Sequence, residues 1–257
     1  MVAAMSPKRG FAFFDLDHTL LPHDTQALFC NYVLQQERWR TLLHLLFIPF
    51  ALLRAVGAIS TLRAKRAFMG YLWRMPLRKL RRYSAEFAQA SVLRWTYAEV
   101  LSEVERQRNQ GRILVLNTAS PDFYARDIAD ILGFDYCVAT KARLTDPLAL
   151  HPVIPVNNKE EEKIEAMRAE VPGVAELTAN ERNDYCYAYS DSAADLPLLE
   201  FGGNAVLIHP SPHLATLGIR REWTLMHPAR PYRTRVGDML AVVRQILGLY
   251  PVAPEQK

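Results

Sequence analysis

Short runs of apolar residues alternate with longer segments of helical periodicity along most of the chain. The run FAFF at 11–14 is apolar at consecutive positions, which is typical of a strand buried on both faces of a sheet. Comparable runs occur at 112–117, 136–140, 184–190 and 204–210. The segment 120–133 is typical of the intervening helices, and we expect Ser120 to cap it and Gly133 to end it. Strands that alternate with helices predict an α/β fold, a doubly wound (Rossmann-like) parallel sheet covered on both faces.

A long helical block separates the first two predicted strands. The chain has 257 residues, half of them hydrophobic, which is enough for one large domain or for a core with a smaller insert. We predict a core domain formed by 1–21 and 111–257, with a helical domain of residues 22–110 inserted after the first strand. The three cysteines show no CxxC spacing, which argues against a zinc site or a disulfide framework.

Polar residues follow three of the predicted strands, where the sheet's carboxyl ends would lie. Asp15 and Asp17 follow the first strand, Thr118 follows the second, and Asp191 follows the strand at 184–190. Ligands of doubly wound sheets bind at this edge. Neighbouring carboxylates in a partly dry site repel each other and are costly to desolvate, so the pair at 15 and 17 predicts a divalent cation.

The ordered set of motifs resembles the haloacid dehalogenase superfamily of phosphohydrolases. It comprises DLDHT after the first strand, a threonine after the second, a lysine, and then the D-x-x-x-D of Asp191 and Asp195. The segments NTASPDFYARDIADILGFD and YAYSDSAADLPLLE resemble the phosphoserine-phosphatase-like subfamily IB. The helical insertion resembles the C1-type cap of this superfamily. The resemblance covers nearly the whole chain and is weakest in the insertion.

The resemblance implies a role for each motif residue. Asp15 would be the nucleophile, forming an aspartyl-phosphate, and Asp17 the general acid and then the general base. Mg²⁺ would be held by Asp15, the backbone carbonyl of Asp17 and Asp191. Thr118, with the adjacent helix N-terminus, would bind phosphate oxygens.

Three further residues are candidates by the same likeness. Lys163 fits the family pattern better than Lys159, because apolar residues follow Lys163 whereas three glutamates follow Lys159. Asp195 would orient Lys163 or a metal-bound water, or cap the following helix. Asp24 aligns with the acidic residue that meets the substrate amine in phosphoserine phosphatases, and it could equally be a helix cap.

The formal charge of +4 hides a basic segment in an otherwise acidic chain. Between Glu37 and Glu86 there are eleven basic residues and no acidic one, while the rest carries 20 basic and 27 acidic residues. The basic residues are Arg38, Arg40, Arg54, Arg63, Lys65, Arg66, Arg74, Arg78, Lys79, Arg81 and Arg82. Such a segment requires an anionic partner or a structural explanation.

The apolar run at 41–60 lies within this basic segment. Crossing a membrane is disfavoured, because one span would place Asp15 and Thr118 on opposite sides of the bilayer although both must contact one phosphate. Two interpretations stay open: the run is the interior of the insertion, or residues 38–82 contact an anionic membrane surface. Nucleic acid is disfavoured, since an apolar run beside the charges suits lipid better.

The sequence thus leaves several functions to weigh. The favoured one is a Mg²⁺-dependent phosphomonoesterase. A looser likeness to phosphatidylglycerophosphatase C-like proteins favours a membrane lipid phosphate such as phosphatidylglycerophosphate as its substrate. A soluble metabolite such as phosphoserine or histidinol phosphate is the alternative, as is a non-catalytic phosphate-binding or membrane-binding protein. The first ten residues lack the apolar stretch of a secretory signal, so we expect a cytoplasmic location, with or without peripheral membrane contact.

Overall fold

One parallel sheet forms the centre of the computed structural model, which describes residues 10–232 and 234–254. Within these residues it has six strands: β1 (Phe11–Phe14), β2 (Ile113–Pro121), β3 (Tyr136–Thr140), β4 (Tyr187–Ser190), β5 (Asn204–Ile208) and β6 (Thr224–Met226). Their order across the sheet is β3-β2-β1-β4-β5-β6. The predicted doubly wound α/β fold is confirmed. The three-residue edge strand β6 is too short to have given a sequence signal.

The described residues form twelve α-helices. They are α1 (Thr25–Gln36), α2 (His44–Ala55), α3 (Thr61–Phe68), α4 (Leu77–Phe87), α5 (Leu93–Trp95), α6 (Ala98–Asn109), α7 (Asp122–Leu132), α8 (Glu161–Glu170), α9 (Ala179–Tyr185), α10 (Leu196–Phe201), α11 (Pro212–Arg220) and α12 (Arg235–Ile246). Helices α1 to α6 all lie between β1 and β2, as the insertion predicts. The exact division into two domains stays a prediction.

The residues of β1 alternate between two hydrophobic cores. Phe14 belongs to a cluster that includes Phe29 of α1 and Tyr124 of α7, whereas Phe13 belongs to a second cluster with Leu207 of β5. Both faces of β1 are therefore buried, which explains its consecutive apolar residues. The first cluster also contains residues of α4 such as Leu80, so the inserted helices share a core with the sheet.

The boundary between β2 and α7 differs from the expected one. The strand continues to Pro121 and the helix begins at Asp122, so Ser120 does not cap it. The end is as predicted, because Gly133 adopts the left-handed conformation that glycine accepts without strain. The extension places Ser120 within the last residues of β2, where its hydroxyl has other partners.

The apolar run at 41–60 forms a short helix rather than a long one. Helix α2 has 12 residues and follows a 3₁₀ segment at Arg38–Leu43. In the part of the chain that the structure describes, no helix is both long and apolar enough to cross a bilayer.

Candidate active site

The reversal of strand order places β1 next to β4 and opens a crevice at their carboxyl ends. The backbone N–H of Asp15 donates to the carbonyl of Tyr189 in β4 at 3.0 Å, so the residue is fixed where β1 ends. The residue is only 7% exposed. Burial raises the pKa of Asp15 well above its usual value, and the neighbouring Lys163 partly offsets this. A carboxylate is thus held in the position that binds ligands in such folds.

Lys163 contacts Asp15 directly. Its Nζ donates to Asp15 Oδ1 at 2.6 Å and lies 2.9 Å from both carboxylate oxygens of Asp195. The residue is 1% exposed, and Ile164 and Met167 of α8 also pack towards the sheet. Burial alone would lower the pKa of Lys163, but the two carboxylates raise it above its usual value. The lysine therefore stays charged.

The two candidate lysines differ in their position relative to these carboxylates. Lys159 is exposed and precedes α8, whereas Lys163 reaches the carboxylate cluster. Asp195 precedes α10 without capping it through its side chain. Its Oδ2 accepts instead from Ser190 Oγ at 2.7 Å and from Lys163. Asp195 thus holds the lysine in place.

Thr19 links the carboxylates that follow β1 and β4. Its Oγ1 lies 3.3 Å from Asp15 Oδ2 and 3.4 Å from Asp191 Oδ1, and it accepts from the backbone N–H of Asp191 at 3.1 Å. Burial raises the pKa of Asp191 to about 6. The sequence reasoning assigned no role to Thr19, although it is the threonine of the DLDHT motif.

Asp17 points towards the start of α1 and the end of β2. Its Oδ1 accepts from the backbone N–H of Thr25 at 2.8 Å, and its Oδ2 accepts from Ser120 Oγ at 2.8 Å. The hydroxyls of Thr25 and Ser120 are 2.8 Å apart. Ser120, which the sequence assigned to a helix cap, therefore fixes the orientation of Asp17.

Thr118 lies deep in the sheet beside β1. The register pairs Phe14 with Leu116, so Thr118 lies two residues beyond this pair on β2. Its Oγ1 accepts from the N–H of Ser120 at 3.0 Å, and its carbonyl accepts from Asn158 Nδ2 at 2.9 Å. No described hydrogen bond joins it to Asp15, so its role in binding phosphate stays a prediction.

Asp24 is a helix cap. Its Oδ1 accepts from the backbone N–H groups of Gln26 and Ala27 at the start of α1. Burial raises the pKa of Asp24, and Asp17 adds to this effect. Contact with a substrate stays a prediction for this residue.

A lysine of the inserted helices reaches the same region. Lys65 of α3 donates to the carbonyl of Ala119, the residue after Thr118, and to Asn157 Oδ1 at 3.1 Å. Burial lowers the pKa of Lys65, while Asp17 and Asp24 counteract this. The sequence did not indicate this contact, because Lys65 is one of eleven basic residues in its segment.

The donor set fits Mg²⁺. Asp17, Asp191 and Asp195 all lie near Asp15, and these four carboxylates outnumber the ammonium groups of Lys163 and Lys65 beside them, so negative charge is in excess. The described residues contain no group of three or more His, Cys, Asp or Glu side chains arranged to hold a metal. The metal site expected from the sequence needs only the side chains of Asp15 and Asp191 and the backbone carbonyl of Asp17. Mg²⁺ commonly takes one or two carboxylates and keeps several waters, which suits this set.

Comparison with known proteins agrees with the fold and the motif order. The chain matches the haloacid dehalogenase-like hydrolase family over residues 12–200. It therefore belongs to that family, and the expected class of enzyme, a hydrolase of this superfamily, is confirmed.

Two curated relatives cover most of the chain. The "Inhibition of morphological differentiation protein" of Streptomyces azureus is 28% identical over 88% of this chain and 81% of its own length. A "probable phosphatase" of Mycobacterium tuberculosis is 28% identical over 88% of this chain and 78% of its own.

Two solved structures share the fold. A Bordetella pertussis protein of unknown function has a TM-score of 0.69 and 24% identity, covering 86% of this chain and 99% of its own. A phosphoserine phosphatase in its phospho-aspartyl intermediate analogue form has a TM-score of 0.56 and 16% identity, covering 87% and 95%.

Proposed function

We propose that this protein is a Mg²⁺-dependent phosphomonoester hydrolase that forms an aspartyl-phosphate on Asp15. One observation carries the proposal: Asp15 lies 2.6 Å from the buried ammonium of Lys163 and shares the hydroxyl of Thr19 with Asp191. This arrangement gives a fixed carboxylate nucleophile, a cation for the phosphoryl oxygens, and a second carboxylate for a metal. The relative described as a "probable phosphatase" supports the same reaction class.

The residues divide the reaction into two steps. An oxygen of Asp15 forms a bond to phosphorus while the ester P–O bond breaks, and Asp17 gives a proton to the departing alkoxide. Water then attacks the phosphorus and gives a proton to Asp17. In this step the bond between phosphorus and Asp15 breaks, and inorganic phosphate is released. Lys163 neutralises charge on the phosphoryl oxygens, and Ser120 keeps Asp17 oriented.

Mg²⁺ would be held by Asp15, the Asp17 carbonyl and Asp191. When bound, it supplies positive charge that polarises the phosphoryl group. The side chains of Thr19 and Lys163 keep the carboxylates in place around it. Thr118 would bind phosphate oxygens from the β2 side.

Hydrolysis of an aryl phosphate, with Mg²⁺ or with EDTA, tests the proposal. We expect Mg²⁺-dependent release of phosphate, a loss of at least about a thousandfold in Asp15→Asn, and a loss of about 100- to 10,000-fold in Asp17→Asn. Asp184→Asn changes an exposed aspartate of α9 and is the matched control. The aryloxide of an aryl phosphate leaves without protonation, whereas hydrolysis of the phosphoenzyme needs Asp17 as base, so acid-quenched Asp17→Asn should accumulate phosphoenzyme. Equal activity in Asp15→Asn and Asp184→Asn would contradict the mechanism.

We further propose a membrane lipid phosphate as the substrate class, and the exposed residues of the insertion favour it. Trp39, Leu42, Leu45, Leu52 and Val56 are between 54% and 78% exposed, although they are large and apolar. Exposed apolar surface beside basic residues suits a lipid headgroup region. The soluble alternative draws on the fold shared with phosphoserine phosphatase.

Comparing phosphatidylglycerophosphate in vesicles with phosphoserine and histidinol phosphate separates the two classes. We expect the lipid to have the highest kcat/KM. A higher kcat/KM for either soluble ester would make this protein a metabolite phosphatase. If no ester is hydrolysed, aryl phosphate included, the non-catalytic interpretation is correct.

A further inference from the structure

Helix α12 carries an exposed apolar stripe. The sequence did not indicate that this helix lies beside the insertion. Val236, Leu240, Val243 and Leu247 are all exposed and are spaced by four, three and four residues, so they share one face of the helix. Gln245 lies on the buried side. An apolar stripe that no described residue covers is a candidate interaction surface.

The end of this stripe faces the exposed side of α2 across a groove of about 470 Å³. Eight of the ten residues that line the groove are apolar. They include Leu42, Leu45, Ile48 and Leu52 on one wall and Ile246 and Leu247 on the other. The groove therefore joins the exposed residues Leu42, Leu45, Ile48 and Leu52 to the Leu247 end of the stripe, and we call these five residues the two-helix face.

Arginines without acidic partners border the α2 side of the two-helix face. Arg38 lies at the start of the 3₁₀ segment before α2, Arg54 lies in its last turn, and Arg63 lies on α3, which packs against α2. All three are exposed, and none forms an ion pair with an acidic side chain among the described residues. Glu37, which directly precedes Arg38, is already paired with Arg40 and Lys79.

We propose that the two-helix face docks on an anionic membrane, with lipid acyl chains in the groove between α2 and α12. The apolar groove suits hydrocarbon, and the arginines suit the phosphates of the headgroups. A second copy of the chain fits less well, because a symmetric contact would bring the same arginines together.

Docking there would bring lipid close to the candidate active site. Helix α2 packs against α3, and Lys65 of α3 reaches the carbonyl of Ala119 beside Thr118. One helix thus separates the two-helix face from the predicted phosphate-binding residue. The inference goes beyond the proposed function, since binding to lipid requires no hydrolysis.

Vesicle co-sedimentation of the full chain tests this docking, using phosphatidylcholine vesicles with and without phosphatidylglycerol. We expect binding only with the anionic lipid, and at least about tenfold weaker binding in Leu52→Glu and in Leu247→Glu, the effect of losing one buried leucine. Ile219→Glu is the matched control, because Ile219 is 68% exposed on α11. Far-UV circular dichroism and the thermal unfolding midpoint should be equal in all three variants, which shows that each one folds.

Each contrary outcome has a distinct meaning. Absence of wild-type binding to anionic vesicles, or equal binding to neutral ones, would overturn the proposal. Wild-type binding by Leu247→Glu would exclude α12 and the groove. A dimer in light scattering that Leu247→Glu dissociates would show that a second copy covers the groove instead. Binding should persist in Asp15→Asn, so a failure of the proposed catalysis does not affect this test.

Discussion

Replacing Lys163 by methionine tests the electrostatics of the site most directly. The side chain is buried and contacts Asp15 and Asp195 at 2.6 and 2.9 Å. The methionine side chain in Lys163→Met is similar in size to that of lysine, but two buried carboxylates lose their counter-ion. Both carboxylates are buried, because Asp15 directly follows β1 and Asp195 directly precedes α10, so they cannot turn to water without local rearrangement.

The expected loss of stability follows from burial. Removing one partner of a buried ion pair costs about 3–5 kcal/mol, since the remaining charge is left uncompensated. The raised pKa of Lys163 keeps the wild-type contribution intact at pH values below the usual 10.5 and removes it only in strong alkali. The pKa of Asp15 is already raised and should rise further in the variant, so its penalty should shrink as pH falls and the carboxyl becomes protonated.

Urea unfolding at pH 7.5 and pH 5 measures this effect. We expect Lys163→Met to lose about 3–5 kcal/mol at pH 7.5 and less at pH 5, and to lose activity by about 100- to 1,000-fold. The exposed Lys159→Met should stay within about 0.5 kcal/mol of wild type. Adding Asp195→Asn to Lys163→Met should recover part of the loss, by about 0.5–3 kcal/mol. If Lys163→Met and Lys159→Met unfold alike, the ion cluster does not exist as described.

Three further changes probe the rest of the site. Thr19→Val removes the hydroxyl between Asp15 and Asp191; we expect kcat to fall at least about tenfold, as for loss of one hydrogen bond of about 1.5 kcal/mol, and an unchanged kcat would remove Thr19 from the site. Ser120→Ala frees Asp17; kcat should fall more for an alkyl phosphate than for an aryl phosphate, and an equal fall would argue against an acid role for Asp17. The pKa of Asp191 is about 6 in the folded protein and 3.8 in its ordinary, unfolded state. Between these pH values the folded protein therefore binds more protons than the unfolded chain does, so the stability of the metal-free protein should decline as pH rises from about 4 to 6. Mg²⁺ should restore it at pH 7 in thermal unfolding, and no effect of Mg²⁺ would count against the metal site.

Much of the candidate site could be predicted because its side chains follow strand ends. Strand patterns gave the carboxyl edge of the sheet, and Asp15 and Asp191 lie there on adjacent strands. The apolar residues after Lys163 also predicted that this lysine is the one that faces the sheet, since Ile164 and Met167 pack on the same side of α8. These are local signals whose structural meaning follows from periodicity.

The residues that sequence reasoning missed depend on partners far away in the chain. Ser120 meets Asp17 across 103 positions, and Thr19 meets Asp191 across 172. A serine before a proline reads as a helix cap, and only the extension of β2 to Pro121 turns it towards Asp17. Local propensity therefore gave the wrong role where tertiary contacts decide it.

The basic segment shows the same limit for charge. Four of its eleven cations serve the fold or the site. Arg40 and Lys79 pair with Glu37, Arg66 donates to the carbonyl of Pro152, and Lys65 reaches Ala119.

The cations that remain set the strength of any membrane contact. Arg82 pairs with Glu86, which leaves six exposed arginines without an ion pair among the described residues. They are Arg38, Arg54, Arg63, Arg74, Arg78 and Arg81. At about 1 kcal/mol for each basic residue near an anionic surface, they contribute at most about 6 kcal/mol, and only if all reach the headgroups at once. Burying two or three leucines of the two-helix face contributes a similar amount. Charge alone would therefore give a weak, salt-sensitive contact, and the apolar residues of α2 and α12 have to supply the rest.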